Sequence, residues 1–121
     1  MNRKQFLQTA ALAGVSLLSS PFVTFAKPPS KYRTALIGSG WWGMNILRCA
    51  MQAGSAKVVA LCDVDQRQLA AATSEVQKLN GDKPKLYKDY REMLTREKPE
   101  IVIVATPDHW HALPTIMAMQ Q

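Results

Sequence analysis

The stretch that most limits what this 121-residue chain can fold into is Gly38-Ser39-Gly40-Trp41-Trp42-Gly43, a G-x-G-x-x-G pattern set between two kinds of periodicity. Before it, Thr34 to Ile37 is a short apolar run that reads as a buried strand. After it, Met44, Ile46, Leu47, Ala50 and Met51 recur at helical spacing between Trp42 and Ala53, and Gly54 closes that helix. Glycines at such a junction have separate tasks. Gly38 permits a tight turn out of the strand, Gly40 lets the backbone approach a phosphate closely, and Gly43 lets the helix lie against the strand. The first N–H groups of the helix have no intrahelical partner, so they bind an anion without a basic side chain. The loop is therefore expected to hold a pyrophosphate.

The rest of the folded part repeats the same alternation. Lys57 to Cys62 is a second strand, apolar on both faces as parallel strands covered by helices are. Gln66 to Leu79 is helical and stops at Asn80-Gly81. Lys85-Leu86-Tyr87 is a short third strand. Asp89 caps a helix over Tyr90 to Arg96, with Glu92 at the capping-box position. Ile101 to Ala105 is the fourth strand, and His111 to Gln120 the last helix, with Pro114 in its first turn. Strands and helices alternating over short connections predict an α/β fold, a Rossmann-type parallel sheet of about four strands. The expected order is 3-2-1-4. Chain direction reverses between strands 1 and 4, which leaves a crevice flanked by residues 38 to 43 and 106 to 110.

Asp63 stands at the end of strand 2, 20 residues after Gly43, where a carboxylate can accept both ribose hydroxyls of an adenosine. It would repel a 2′-phosphate, so NAD is expected over NADP, although Arg67 stands within reach of such a phosphate. Of Trp41 and Trp42, one is expected to pack inward and one to stay exposed. Across the crevice lies Thr106-Pro107-Asp108-His109-Trp110-His111. Its His-x-His pair with an Asp suggests a metal, but structural zinc needs about four ligands, and Cys49 and Cys62 read as core groups in a helix and a buried strand. No metal is expected.

Charge enters the argument only at the N-terminus. The chain carries fifteen Lys and Arg against nine Asp and Glu, a net charge of +6. Three of the basic residues, Arg3, Lys4 and Lys27, fall in the first 30 residues, where there is no acid. The remaining basic groups are scattered among acids, unlike the stripe of a nucleic-acid binder, and no nucleic-acid partner is expected. Residues 1–26 read as an export signal: a basic start, an apolar run from Ala10 to Leu18, and Thr24-Phe25-Ala26 before a cut. Asn2-Arg3-Lys4-Gln5-Phe6-Leu7 is similar to the twin-arginine motif with Lys at its second basic position. The run is shorter than the ~20 residues that span a bilayer, so no stable membrane span is expected once the signal is removed. The expected location is exported, periplasmic. Residues 27–31 form a linker, and 32–121 the nucleotide-binding domain.

The glycine loop, Leu61-Cys62-Asp63-Val64-Asp65 and Thr106 to His111 together resemble the glucose–fructose oxidoreductase/inositol dehydrogenase (Gfo/Idh/MocA) family, over the part that is its N-terminal nucleotide-binding domain. The resemblance implies an NAD(P)-dependent oxidoreductase of sugars, cyclitols or related polyols, often a homo-oligomer. It implies that Trp41 and Trp42 lie along the pyrophosphate and that Thr106, Pro107, Asp108, His109, Trp110 and His111 line the nicotinamide side. It also implies a downstream Glu-Lys-Pro motif and a substrate-binding domain, and no residue here matches the Lys of that motif. No catalytic residue is therefore assigned, and the chain is expected to be a C-terminally truncated, cofactor-binding part of its parent. Two alternatives stay open: an NAD-dependent glycosidase, and a non-catalytic nucleotide-binding or interaction module. A methyltransferase using S-adenosylmethionine is disfavoured, because nothing acidic precedes the glycine loop in strand 1.

Overall fold

The computed structural model describes residues 30–121. The expected export signal and most of the linker lie outside the described residues. Eight elements follow one another: β1 (Tyr32–Ile37), α1 (Trp41–Gln52), β2 (Ala56–Cys62), α2 (Gln66–Asn80), β3 (Lys85–Tyr87), α3 (Tyr90–Glu97), β4 (Ile101–Val104) and α4 (Asp108–Met119). The four strands are parallel and lie in the order β3-β2-β1-β4, as the alternation predicts. Thr34 pairs with Val58 and Ala35 with Ala60, so Val59 is an extra residue on β2 and the two strands shift register there.

The sheet divides the apolar residues by parity. Leu36 and Leu61 face one way and join Met44, Leu47 and Met51 of α1 and Leu69, Ala72 and Val76 of α2. Their neighbours Ala35, Ile37, Ala60 and Cys62 face the other way, against Met93 and Leu94 of α3. A period of two along the strand thus supplies both cores, each covered by a helix pair at its 3.6-residue period. Local chemistry ends the helices. Asp65 and Asp89 each accept a backbone N–H two residues on, capping α2 and α3, and Gly81 takes the left-handed conformation (φ 73°) that closes α2.

Three expectations need correcting. The last helix starts at Asp108 and not at His111: Pro107 is extended, the Trp110 amide donates back to its carbonyl (2.9 Å), and Asp108 puts an acid in the first turn. Pro114 is consequently an interior residue of α4. Having no N–H, it leaves the Trp110 carbonyl without the usual helical donor. Cys49 is exposed, not a core group, because its position on α1 faces away from the sheet, whereas Cys62 is buried and both thiols are free. Trp41 and Trp42 are both exposed, at 75% and 60%, with their rings 5.7 Å apart. The first turn of α1 carries its buried face on Gly43 and Met44, which leaves no inward position for either indole.

None of the described helices is long and apolar enough to cross a membrane.

Candidate functional site

The three glycines of the loop are held to three different degrees. Gly38 has φ 90°, and a Cβ there would lie 2.6 Å from the Ala105 carbonyl oxygen. Its amide donates to the Cys62 carbonyl (2.8 Å), which turns the chain away from β1 at the strand end. A Cβ on Gly43 would sit 1.9 Å from the Gly38 carbonyl oxygen and 3.1 Å from the Ala105 Cβ. Both glycines are therefore required by packing alone. Gly40 is different: its backbone is ordinary (φ −71°, ψ −174°), and a Cβ there would meet nothing within 4 Å. Among the described residues nothing packs where a side chain at this position would go, and the open space beside its backbone suits a group arriving from outside.

That group would meet the start of α1. Among the described residues no side chain caps this helix, and its first turn contains no acid, in contrast to the aspartate caps on α2 and α3. The earliest amide bonded within the helix is Met44, to the Gly40 carbonyl (3.0 Å). The amides of the preceding turn lack helical acceptors and carry the positive end of the helix dipole, the environment that a phosphate oxygen fits.

Asp63 is drawn into the loop more firmly than its spacing suggests. Its Oδ2 accepts the Ser39 amide (2.8 Å) and the Ser39 hydroxyl (3.0 Å), while Oδ1 accepts the Asp65 amide (2.9 Å). Its own amide donates to the Tyr87 carbonyl on β3 (3.1 Å). The Ser39 N–H is thus committed to Asp63 and is no part of an anion cradle. A carboxylate has about four lone-pair sites, and three are occupied. One site on Oδ1 remains, room for a single ribose hydroxyl where the spacing alone suggested two. Arg67 is paired with Asp65 through Nε (3.3 Å) and Nη2 (3.1 Å), which draws it toward the cap of α2.

At the C-terminal ends of the strands lies a cleft of about 570 Å³. Gly38, Asp63, Thr106, Pro107, His109 and Trp110 line it, so the glycine-loop turn and the segment after β4 meet at one opening. Gly40, Trp41, Trp42, Gly43, Asp108 and His111 lie outside its lining. His111 instead holds the wall: its Nδ1 lies 3.2 Å from the Thr106 carbonyl oxygen. The Thr106 hydroxyl is buried and has no partner among the described residues, a donor and acceptor left for something else. Cys62 lies at the floor, where burial, with the Asp63 charge adding to it, pushes its thiol up to about 12 and keeps it neutral.

Sequence reasoning missed a whole side of this cleft. Lys88 and Asp89, between β3 and α3, and Tyr90 and Arg91, in the first turn of α3, also line it. The signal was present in the sheet order itself, since β3 beside β2 must open its outgoing turn on the same end as Asp63. Among the described residues, no group of three or more His, Cys, Asp or Glu side chains is placed to hold a metal.

Residues 32–121 match the model of an oxidoreductase family described as having an NAD-binding Rossmann fold, GFO_IDH_MocA. The chain belongs to the Gfo/Idh/MocA family. It carries that family's NAD-binding domain. Among solved structures, this Gfo/Idh/MocA domain is similar to myo-inositol dehydrogenase from Lactobacillus casei in complex with NAD(H) and myo-inositol (25% identity, TM-score 0.63), covering 75% of this chain and 26% of that one. It is also similar to the WlbA dehydrogenase from Bordetella pertussis in complex with NADH and UDP-GlcNAcA (25% identity, TM-score 0.56, 74% of this chain and 26% of that one). Among curated relatives, a glycosyl hydrolase family 109 protein of Stenotrophomonas maltophilia is 32% identical over 126 residues, 99% of this chain and 28% of the relative. A glycosyl hydrolase family 109 protein of Parabacteroides distasonis is 27% identical over 138 residues, 98% of this chain and 30% of the relative. The chain thus spans less than a third of the relatives it matches.

Proposed function

We propose that the domain serves an enzyme that oxidises or reduces a sugar, cyclitol or related polyol, and that it holds NAD with the amides at the start of α1 along the diphosphate. The observation that carries this reading is Gly40, a glycine with open space beside its backbone among the described residues, at the mouth of an uncapped helix beside the cleft. Asp63 Oδ1 receives a ribose hydroxyl. The Thr106 hydroxyl takes up a polar group of the dinucleotide, and Pro107, His109 and Trp110 exclude water beside it. When bound, NAD supplies a hydride acceptor for a carbinol carbon. No side chain of this chain is assigned to move the substrate proton. In our reading that work belongs to the part of the relatives' length this chain does not span, as does the choice of polyol.

A second reading of the same cofactor site is favoured by the designation of the curated relatives, which align over nearly the whole chain. In it the enzyme is an NAD-dependent glycosidase, which oxidises a sugar transiently, eliminates its substituent and returns the hydride, so that no NADH accumulates. Residues 1–26 support export to the periplasm, and the exposed indoles at the start of α1 support assembly with a further domain or a second copy.

Titration calorimetry of the full chain with NAD and with NADP tests the cofactor placement. NAD is expected to bind more tightly; a preference for NADP, or no binding by folded protein, overturns it. Absorbance at the NADH band during turnover, measured on a polypeptide carrying this domain with the rest of the relatives' length, separates the two enzymes. Net NADH accumulation supports the oxidoreductase, and release of the sugar substituent without it supports the glycosidase.

A further inference from the structure

We propose that Ser39 is a positioning residue that sets the coenzyme preference by holding the Asp63 carboxylate in one orientation. The inference rests on the NAD-site reading above and goes further in assigning the discrimination to a pair of residues. Ser39 is 2% exposed, so its hydroxyl has no access to solvent and is spent on Asp63. Its amide adds a second bond to the same oxygen, and the Asp65 amide fixes the other oxygen. With the Asp63 backbone tied to Tyr87 and the Gly38 backbone tied to Cys62, the carboxylate is gripped from β1, β2 and β3 together.

A carboxylate held in this way has two consequences. Its remaining lone pair on Oδ1 has a fixed direction, which a 2′-hydroxyl can meet without paying to order the side chain. A 2′-phosphate brings its negative charge against an acid that cannot swing away. A carboxylate without the Ser39 hydroxyl keeps its charge but gains freedom, so the ribose bond weakens and the repulsion relaxes. The two coenzymes then move in opposite directions.

The test uses the full chain, unfolding checks on every variant, and affinities for NAD, NADP and NAD lacking the adenosine 2′-hydroxyl. Ser39→Ala is expected to weaken NAD about tenfold, the order of one hydrogen bond to a charged group, and to leave NADP unchanged or tighter. The 2′-deoxy ligand is expected to bind wild type and Ser39→Ala alike. Ser39→Cys, nearly isosteric with a weak donor, carries the same expectation should the alanine variant fail to fold. An unaltered ratio of NAD to NADP affinity in these variants overturns the inference while leaving the NAD site standing. A wild-type chain that binds no NAD removes the site itself, and the inference with it.

Discussion

Gly43→Ala is the sharpest test of how the loop is built. The new Cβ would fall 1.9 Å from the Gly38 carbonyl oxygen, where real contacts stay beyond 3.0 Å, so α1 must retreat by about an ångström. Both groups it meets are poorly able to give way: one is backbone at φ 90°, the other the Ala105 Cβ at 3.1 Å. Retreat also opens the packing of Met44 and Leu47 on the sheet. Overpacking of this kind costs ~1–3 kcal/mol, here toward the upper end. Alanine in a helix gives back about 1 kcal/mol relative to glycine. The net is about 2 kcal/mol, which for a domain this size lowers Tm by roughly 8–16 °C. Gly40→Ala is the matched control, since its Cβ enters open space. It should stay within about 1 kcal/mol of wild type, the scale of a changed N-cap, while NAD affinity drops tenfold or more. Thermal unfolding by far-UV circular dichroism, paired with calorimetric NAD titration, reads both. Equal Tm for Gly43→Ala and wild type, or a Gly40→Ala variant that loses as much stability as Gly43→Ala, would refute this division of labour.

Thr106→Val removes a buried hydroxyl with no partner among the described residues, so stability should hold or rise while NAD affinity falls; a loss of stability would show that the hydroxyl is satisfied by structure. Thiol labelling at pH 8 should modify Cys49 alone in native protein and both cysteines in denaturant, because burial keeps Cys62 protonated to about 12. Two native equivalents would contradict that. The Glu97 carboxylate is held below its usual range by the Tyr87 hydroxyl (2.5 Å), then Lys85 (2.9 Å), with Arg33 nearby (3.6 Å). Its lowered pKa contributes stability that is complete above the unfolded value of about 4.3 and is lost as pH falls through the folded one. Denaturant midpoints from pH 7 down to 3 should fall in wild type and fall less in Glu97→Gln; parallel curves would exclude Glu97 as the cause.

The strand runs and the sheet order were legible because they depend on local periodicity and on a connection rule that leaves few topologies. Lys85 to Tyr87 needs only three residues to state its strand. The start of α4 was misplaced because Pro114 read as a first-turn residue; Pro107 followed by Asp108 was the better marker. Contacts between distant residues were out of reach. Ser39 meets Asp63 across 24 residues, and Arg33 meets the Glu97 carbonyl across 64, and no spacing rule encodes either. The exposure of both indoles follows from which face of the first turn of α1 meets the sheet, a matter of helix rotation and not of composition.

The place of β4 in the sheet bears on how the protein assembles itself. Thr34 pairs with Ile101, 67 positions along, whereas Tyr32 pairs with Ala56, only 24 along. Closing the longer loop costs more entropy, so β1, β2 and β3 should zip first and β4 dock last. Gly38 abuts Ala105 just beyond β4, and competence for coenzyme therefore belongs to the final kinetic phase. In stopped-flow refolding, quenching by added NADH should trail the regain of secondary structure; simultaneous traces would place β4 in the nucleus instead.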